Sequence, residues 1–346
     1  MHKKYKRVFS INNDLGFRNY TVRDIIDLKG KRKLTQVRVT TTEEASAAEE
    51  AGIDLILTGP GPNLPAIRKA AAKTFMTVGV PFIQNPSKRE ATKKALDGGH
   101  HGYVLPNGTI ECREAVSRKI KKLYNADIDP ERVIIMPGGK PTMYYAITLF
   151  GEAGAEIIYP DPGFPIYRSM INFSGAKGVP LKLIEEDNFE INIDKLEKLI
   201  TNKTSLIIIN NPNNPTGSFM GKKKIDKLVN MLEKYPDIFV LSDEIYSKII
   251  FDNNQMPSFL NYDKLRERLI VLEGWSKAYS MTGWRLGWSF WPKELVPHVN
   301  KLLINSVSCV NAAAQFAGIA ALDGPDDSIN EMMVKFTERR KLIHEG

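Results

Sequence analysis

The stretch "EGWSKAYSMTGWRLGW", residues 273–288, places Lys277 directly after Ser276 and sets Arg285 eight residues further on, among glycines and tryptophans. The apolar run "RLIVLEGW" comes just before it, so this lysine falls where a strand ends and the backbone turns toward a cleft. An amine in that place invites a chemical role. Other apolar runs end in similar company. After "RVIIM" comes "PGGKPTMYYAITLF", where Gly139 and Lys140 lead straight into a helix whose exposed amides suit a phosphate monoester. After "EIIYP" comes "DPGFPIY", in which Phe164 offers either a core contact or a flat face for a planar ring. After "SLIII" comes "NNPNNPTG", denser in side-chain amides than turn chemistry alone explains well. After "IFVLS" come Asp243, Glu244 and Tyr246. A carboxylate there is costly unless it caps a helix, meets a cation or accepts hydrogen bonds.

Together these ends supply a phosphate cradle, a stacking face, amide donors, an acid, a phenol, an amine and a guanidinium. Pyridoxal 5′-phosphate asks for that set. It has a phosphate tail, a planar ring, a phenolic oxygen, a basic ring nitrogen and an aldehyde that takes a lysine.

The elements that must position these groups follow from the runs themselves. Seven short apolar stretches, "RVIIMPG", "AEIIYP", "VPLKL", "SLIIINN", "IFVLSD", "LIVLEGW" and "RLGWSFW", are bounded by Gly, Pro and Asn and mostly separated by helical segments. They read as a seven-stranded, mostly parallel sheet between helices, an α/β fold. Ligands of open α/β sheets lie beyond the carboxyl ends of the strands, which is where the candidate residues stand. "KREATKKALDGG" and "IECREAVSRKIKKLY" carry helical spacing ahead of the first strand. Residues 35–82 alternate differently, as "TQVRVT", "TEEASAAEEAG", "IDLILTG", "NLPAIRKAAAKT" and "FMTVGVPF". That order predicts a βαβαβ fragment with parallel strands.

Residues from about 86 to 346 resemble the class I/II aminotransferases, the fold-type I pyridoxal-phosphate enzymes, in "HGYVLPNGTIECREAV", "PGGKPTMYYA", "PDPGFPIY", "NNPNNPTG", "SDEIY" and "SKAYSMTGWRLGW". The resemblance implies transamination between an L-amino acid and a 2-oxo acid, through an aldimine on Lys277. It implies that Gly139, Lys140 and Arg285 serve the cofactor phosphate, that Ser276 also belongs to the cofactor-binding set, that Phe164 stacks on the ring, and that Asn214 and Tyr246 bond its phenolic oxygen. Asp243 would keep the ring nitrogen protonated, and Lys277, Asp243 and Tyr246 would form the catalytic set. Tyr103 would reach the phosphate of a neighbouring subunit, which implies a homodimer with shared sites. The family pattern continues into a small domain bearing an arginine for the substrate carboxylate, and residues 86–346 hold only the large domain. An aspartate preference has no support in "LINSVSCVNAAAQFAG", which lacks arginine. A non-catalytic cofactor-binding or structural module, and other fold-type I reactions that share Lys277 and Asp243, stay open on the residues alone.

The first 85 residues are similar to the start of ketopantoate hydroxymethyltransferase, a TIM-barrel enzyme, in "YTVRDIIDLKGKRKLTQV", "AEEAGIDLILTG" and "VGVPF". That family's acidic metal-binding turn is replaced here by "TGPGPN", with no carboxylate between Leu57 and Lys69, so its chemistry does not carry over. Pro60 and Pro62 lack the backbone donors a phosphate loop uses, and "GPGPN" reads as a connecting turn. The expected domains are therefore 1–85, barrel-like, and 86–346.

Composition bounds the rest. With 42% hydrophobic and 25% charged residues, the 346-residue chain is ordinary for a folded protein. A net charge of +8 favours anionic ligands, but the lysines are spread over many helices instead of forming the stripe that nucleic-acid binding needs. Two cysteines without a CxxC pair, and scattered histidines, argue against a metal site or disulfide framework. No apolar run is long enough to span a bilayer, and the basic start lacks a signal-peptide core. The reading is a cytoplasmic location, with neither membrane nor nucleic acid as partner.

Overall fold

Runs of Ile, Val and Leu with no polar face must be covered on both sides, and in this chain they are. A computed structural model describes residues 6–9, 15–28, 31–58, 63–78, 86–252 and 254–345, and the chain divides into two units, Met1–Phe82 and Ile83–Gly346. In the first unit β1 (Lys6–Phe9) pairs antiparallel with β2 (Leu15–Arg18), and α1 (Val22–Asp27) follows. Then β3 (Gln36–Arg38), α2 (Thr42–Glu50), β4 (Leu55–Thr58), α3 (Leu64–Ala70) and β5 (Phe75–Val78) give the expected βαβαβ order, with β3, β4 and β5 parallel. Thr41 and Glu44 cap α2 reciprocally, and Val39, Ala45, Ile56 and Ile67 form a small core. Residues 59–62, where "GPGPN" reads as a turn, lie outside the described residues, as do 79–82 of the "VGVPF" segment.

The second unit begins with α4 (Pro86–Asp97) and α5 (Ile110–Tyr124). After them β6 (Val133–Met136), α6 (Lys140–Phe150), β7 (Glu156–Asp161), α7 (Ile166–Ser174), β8 (Lys177–Lys182), α8 (Ile193–Leu199), β9 (Thr204–Asn210), α9 (Lys222–Leu232) and β10 (Phe239–Asp243) alternate. β11 (Leu269–Gly274) and β12 (Gly287–Phe290) come next, then α10 (Val296–Ser306), α11 (Ala312–Asp323) and α12 (Asp327–Glu345). The seven expected runs make one sheet, in the order β6-β12-β11-β10-β9-β7-β8. Only β12 runs against its neighbours, β11 and β6, with Gly274 paired to Gly287.

Strand residues alternate between two cores. Val133, Ile135, Ile207, Ile209, Val240 and Val271 face a cluster with Val116 and Ile120 of α5, Leu228 of α9 and Ala317 of α11. Ile134, Met136, Ile208, Leu241, Ile270 and Leu272 face the other, with Ile147 of α6, Ile171 of α7 and Leu303 of α10. Each fully buried aliphatic side chain contributes about 1.5–3 kcal/mol relative to exposure. Both faces of the sheet are thus sealed, and the strand ends are the places left for chemistry.

Candidate active site

Beyond the carboxyl ends of β6, β7, β9, β10 and β11 lies a cavity of about 350 Å³, in the range of small-molecule sites. Gly139, Lys140, Phe164, Asn214, Asp243, Tyr246, Ser276, Lys277 and Arg285 all line it. Met143, Asn210, Ile245, Leu272 and Thr282 complete the wall. Tyr103 stands elsewhere: it is 90% exposed and lines another hollow with His100, His101 and Cys309.

The acid is built first. Asp243 ends β10, its side chain is wholly buried, and its Oδ2 accepts a hydrogen bond from the Tyr167 hydroxyl at 2.6 Å. The Ile245 amide donates to its Oδ1 at 3.2 Å. Burial pushes the carboxyl up to about 6, while Tyr167, the Ile245 amide and the Lys277 charge hold it from going higher. Asp243 is therefore ionised at neutral pH with few charges to answer it. A cation placed in the cavity would meet it.

The phenol comes three residues later. Asn214 Nδ2 donates to the Tyr246 oxygen at 3.1 Å, which leaves the tyrosine's own proton free to point into the cavity. Burial first, then the charge of Asp243, raises the Tyr246 pKa, so it remains a donor. The other asparagines of "NNPNNPTG" have backbone duties. Asn210 donates to the Asp243 carbonyl and accepts from the Asn214 amide at 2.7 Å; Asn211 brackets Met220 through both its amide nitrogen and oxygen; Asn213 accepts from Thr216. Turn chemistry accounts for three of the four, and Asn214 alone is left for a ligand.

At the other end, α6 starts at Lys140 with Gly139 as its cap residue, and nothing side-chain-borne covers its first amides. Arg285 lies across this helix start, donating to the carbonyls of Thr282 at 2.7 Å and Pro137 at 3.2 Å. Gly138, at φ +89°, is where the two meet, and a Cβ there would strike the Arg285 guanidinium. Gly287 of β12 permits the same approach from behind, since a Cβ on it would sit 2.6 Å from the Gly138 carbonyl carbon. Gly138→Ala is expected to lower stability by roughly 1–2 kcal/mol through the left-handed backbone and to displace Arg285. Thermal unfolding of the ligand-free protein, alongside titration with pyridoxal 5′-phosphate, checks both effects. Unchanged affinity would show that Arg285 needs no such cradle.

Lys277 sits just past β11, half-buried, its Nζ 5.7 Å from the centre of the Tyr246 ring, and Ser276 beside it is buried. Lys140 Nζ lies 5.7 Å from the Phe164 ring centre. Glu244, named with Asp243 from the sequence, does not line the cavity: it accepts from the Phe259 amide and the Ser242 hydroxyl, and burial pushes it up to about 7. Sequence reading passed over Tyr167. It lies three residues after Phe164 within the quoted "DPGFPIY", a spacing that shares a face once the segment turns helical. The two rings do meet edge to face, with centroids 6.1 Å apart.

Among the described residues no group of three or more His, Cys, Asp or Glu is placed to hold a metal ion, and no helix is long and apolar enough to cross a membrane. The donors present fit a phosphorylated pyridine aldehyde. Two amines, one buried carboxylate, a phenol with its proton free, an aromatic face and a helix amino terminus with a guanidinium open on one cavity. Lacking a Cβ, Gly138 lets the guanidinium lie against the helix start, so the two face the cavity together.

Comparison with known proteins identifies the family. The family model described as aminotransferase class I and II matches residues 76–346. A probable aspartate aminotransferase of Methanocaldococcus jannaschii is 35% identical over 276 residues, covering 78% of this chain and 72% of that protein. An aspartate aminotransferase of Sulfolobus acidocaldarius is 33% identical over 302 residues, covering 86% and 70%. Among solved structures, an aromatic aminotransferase from Pyrococcus horikoshii superposes with a TM-score of 0.73 at 32% identity, covering 77% of this chain and 72% of its own. None of these matches bears on a barrel-enzyme likeness of the first 85 residues. With more than three quarters of its length inside one family model, the chain belongs to the class I and II aminotransferases, enzymes that transfer amino groups with pyridoxal 5′-phosphate.

Proposed function

We propose that Lys277, Asp243 and Tyr246 carry transamination between an L-amino acid and a 2-oxo acid, and that Gly139, Lys140, Phe164, Asn214, Ser276 and Arg285 hold the cofactor for it. The observation that carries this assignment is the opening of a buried carboxylate, an amine and a proton-bearing phenol onto one cavity. When bound, pyridoxal 5′-phosphate supplies an aldehyde for the amine and a protonated ring that withdraws electrons from the substrate's α carbon. Lys277 holds that aldehyde and, once freed, moves the proton at the α carbon as general base. Asp243 keeps the ring nitrogen protonated, because a neighbouring anion stabilises a cation. Tyr246, fed by Asn214, donates to the phenolic oxygen. The amides at the start of α6, with Arg285, take the phosphate. Phe164 supports the ring face.

The same reading gives Tyr103, exposed and away from the cavity, to the site of a second copy, so that the working unit is a homodimer. It takes residues 1–85 as a barrel-type fragment, supported by the parallel β3-β4-β5 order, and places the protein in the cytoplasm. The test is spectroscopic. The cofactor-loaded protein is expected to lose its long-wavelength absorbance when an L-amino acid is added and to recover it when a 2-oxo acid follows. Absorbance that no L-amino acid alters would overturn the assignment in favour of a binding module.

A further inference from the structure

Asp243 is held by a residue that does not itself line the cavity. Tyr167 is wholly buried in the core shared by α6, α7 and the sheet, and it spends its one hydroxyl proton on Asp243 Oδ2. At 2.6 Å this is in the range of charge-assisted O–H···O⁻ bonds. The ring also meets Phe164 edge to face, so one side chain braces both the acid and the stacking face.

Resting on the cofactor assignment above, we propose that Tyr167 is a positioning residue for the reaction: its hydroxyl, opposite the Ile245 amide, fixes the Asp243 carboxylate in the orientation that pairs with the cofactor's ring nitrogen. A carboxylate free to rotate about its Cβ–Cγ bond would present its lone pairs to the ring only part of the time. With Oδ2 held by Tyr167 and Oδ1 by the Ile245 amide, rotation is stopped from both ends. The remaining ionisable groups near the acid, Tyr246 and Lys277, act on it through charge and not through a hydrogen bond. Burial and the Asp243 charge hold the Tyr167 phenol far above its usual value, so it stays a donor at every working pH.

A residue needed only for packing would support every ligand alike, and that separates the two roles. Dissociation constants are measured for pyridoxal 5′-phosphate and for its deaza analogue, in which C–H replaces the ring nitrogen, on wild type, Tyr167→Phe, Asp243→Asn and the double variant. Tyr167→Phe is expected to weaken the natural cofactor roughly tenfold to hundredfold, the usual size of a hydrogen bond to a charged group. The deaza analogue should change by less than about threefold, and so should either ligand when Tyr167→Phe is added to Asp243→Asn. Equal weakening of both ligands, or of neither, overturns the proposal. Wild-type protein that binds neither ligand instead removes the cofactor assignment beneath it. Melting temperatures of the ligand-free variants, read in parallel, identify a phenylalanine variant that has merely unfolded; Tyr167→His, which keeps a donor, must then recover part of the preference for the natural cofactor.

Discussion

Lys277→Ala is expected to lower transamination turnover by about two to four orders of magnitude, the range for removing a positioned acid–base group. It should also end covalent attachment. Borohydride treatment of the cofactor-loaded wild type is expected to leave the label on Lys277, whereas the alanine variant takes none. Two structural facts make this residue and no other lysine the target. It is the amine whose charge acts on the buried acid, whereas Lys140, the other amine on that wall, stands over Phe164 at the start of α6, the end assigned to phosphate. Label recovered from Lys140 would reverse the orientation assigned to the ligand. Activity that survives the substitution undiminished would remove Lys277 from the chemistry.

Asp243→Asn should have effects of opposite sign on the two states of the protein. Toward the cofactor it removes one member of a buried ion pair, a loss of about 3–5 kcal/mol, or two to nearly four orders of magnitude in affinity. In the ligand-free protein the acid is a liability. Its folded pKa of about 6 stands above an unfolded value of 3.8, so the folded state binds the extra proton. The stability associated with it is fully present below the unfolded value and is lost as pH rises through about 6. The ligand-free asparagine variant is therefore expected to be the more stable at pH 8 and to lose that advantage by pH 4. Wild-type affinity for the cofactor should fall more steeply than the variant's as pH drops below about 6, since both share the titration of the ligand's phosphate and only wild type adds that of Asp243. Chemical denaturation across that range, paired with cofactor titration, measures both. A variant less stable than wild type at pH 8 would mean that the carboxylate serves the empty fold as well.

The large sheet was legible because its strands are buried on both faces. "SLIIINN" and "LIVLEGW" can be little else, and each fell where its apolar run lies, at Thr204–Asn210 and Leu269–Gly274. The cavity was legible for a related reason: ligand groups stand at strand ends, and strand ends can be read from the point where apolar runs stop. What could not be read was which polar residues serve the backbone. Asn210, Asn211 and Asn213 look like Asn214 in the sequence, and only the turn that they build together separates them. Tyr167 was missed because its partner is distant in sequence, and a hydroxyl inside an aromatic core gives no local sign of where its proton goes. Glu244 stands out beside Asp243 because it directly follows the same apolar strand, but successive residues of an extended chain point to opposite faces. That alternation sends it to Ser242 and Phe259, away from the cavity.

The reversal of β12 decides how the amine and the guanidinium keep their spacing. Lys277 leaves β11 and Arg285 enters β12, and the two strands are joined to each other by the register of Gly274 against Gly287. Both ends of the ligand are thus gauged by a single closed excursion of the chain, as a caliper carries both jaws on one beam. Drift elsewhere in the sheet moves the jaws together and leaves the gap unchanged, whereas one residue added between them would spoil the fit while every strand stayed in place.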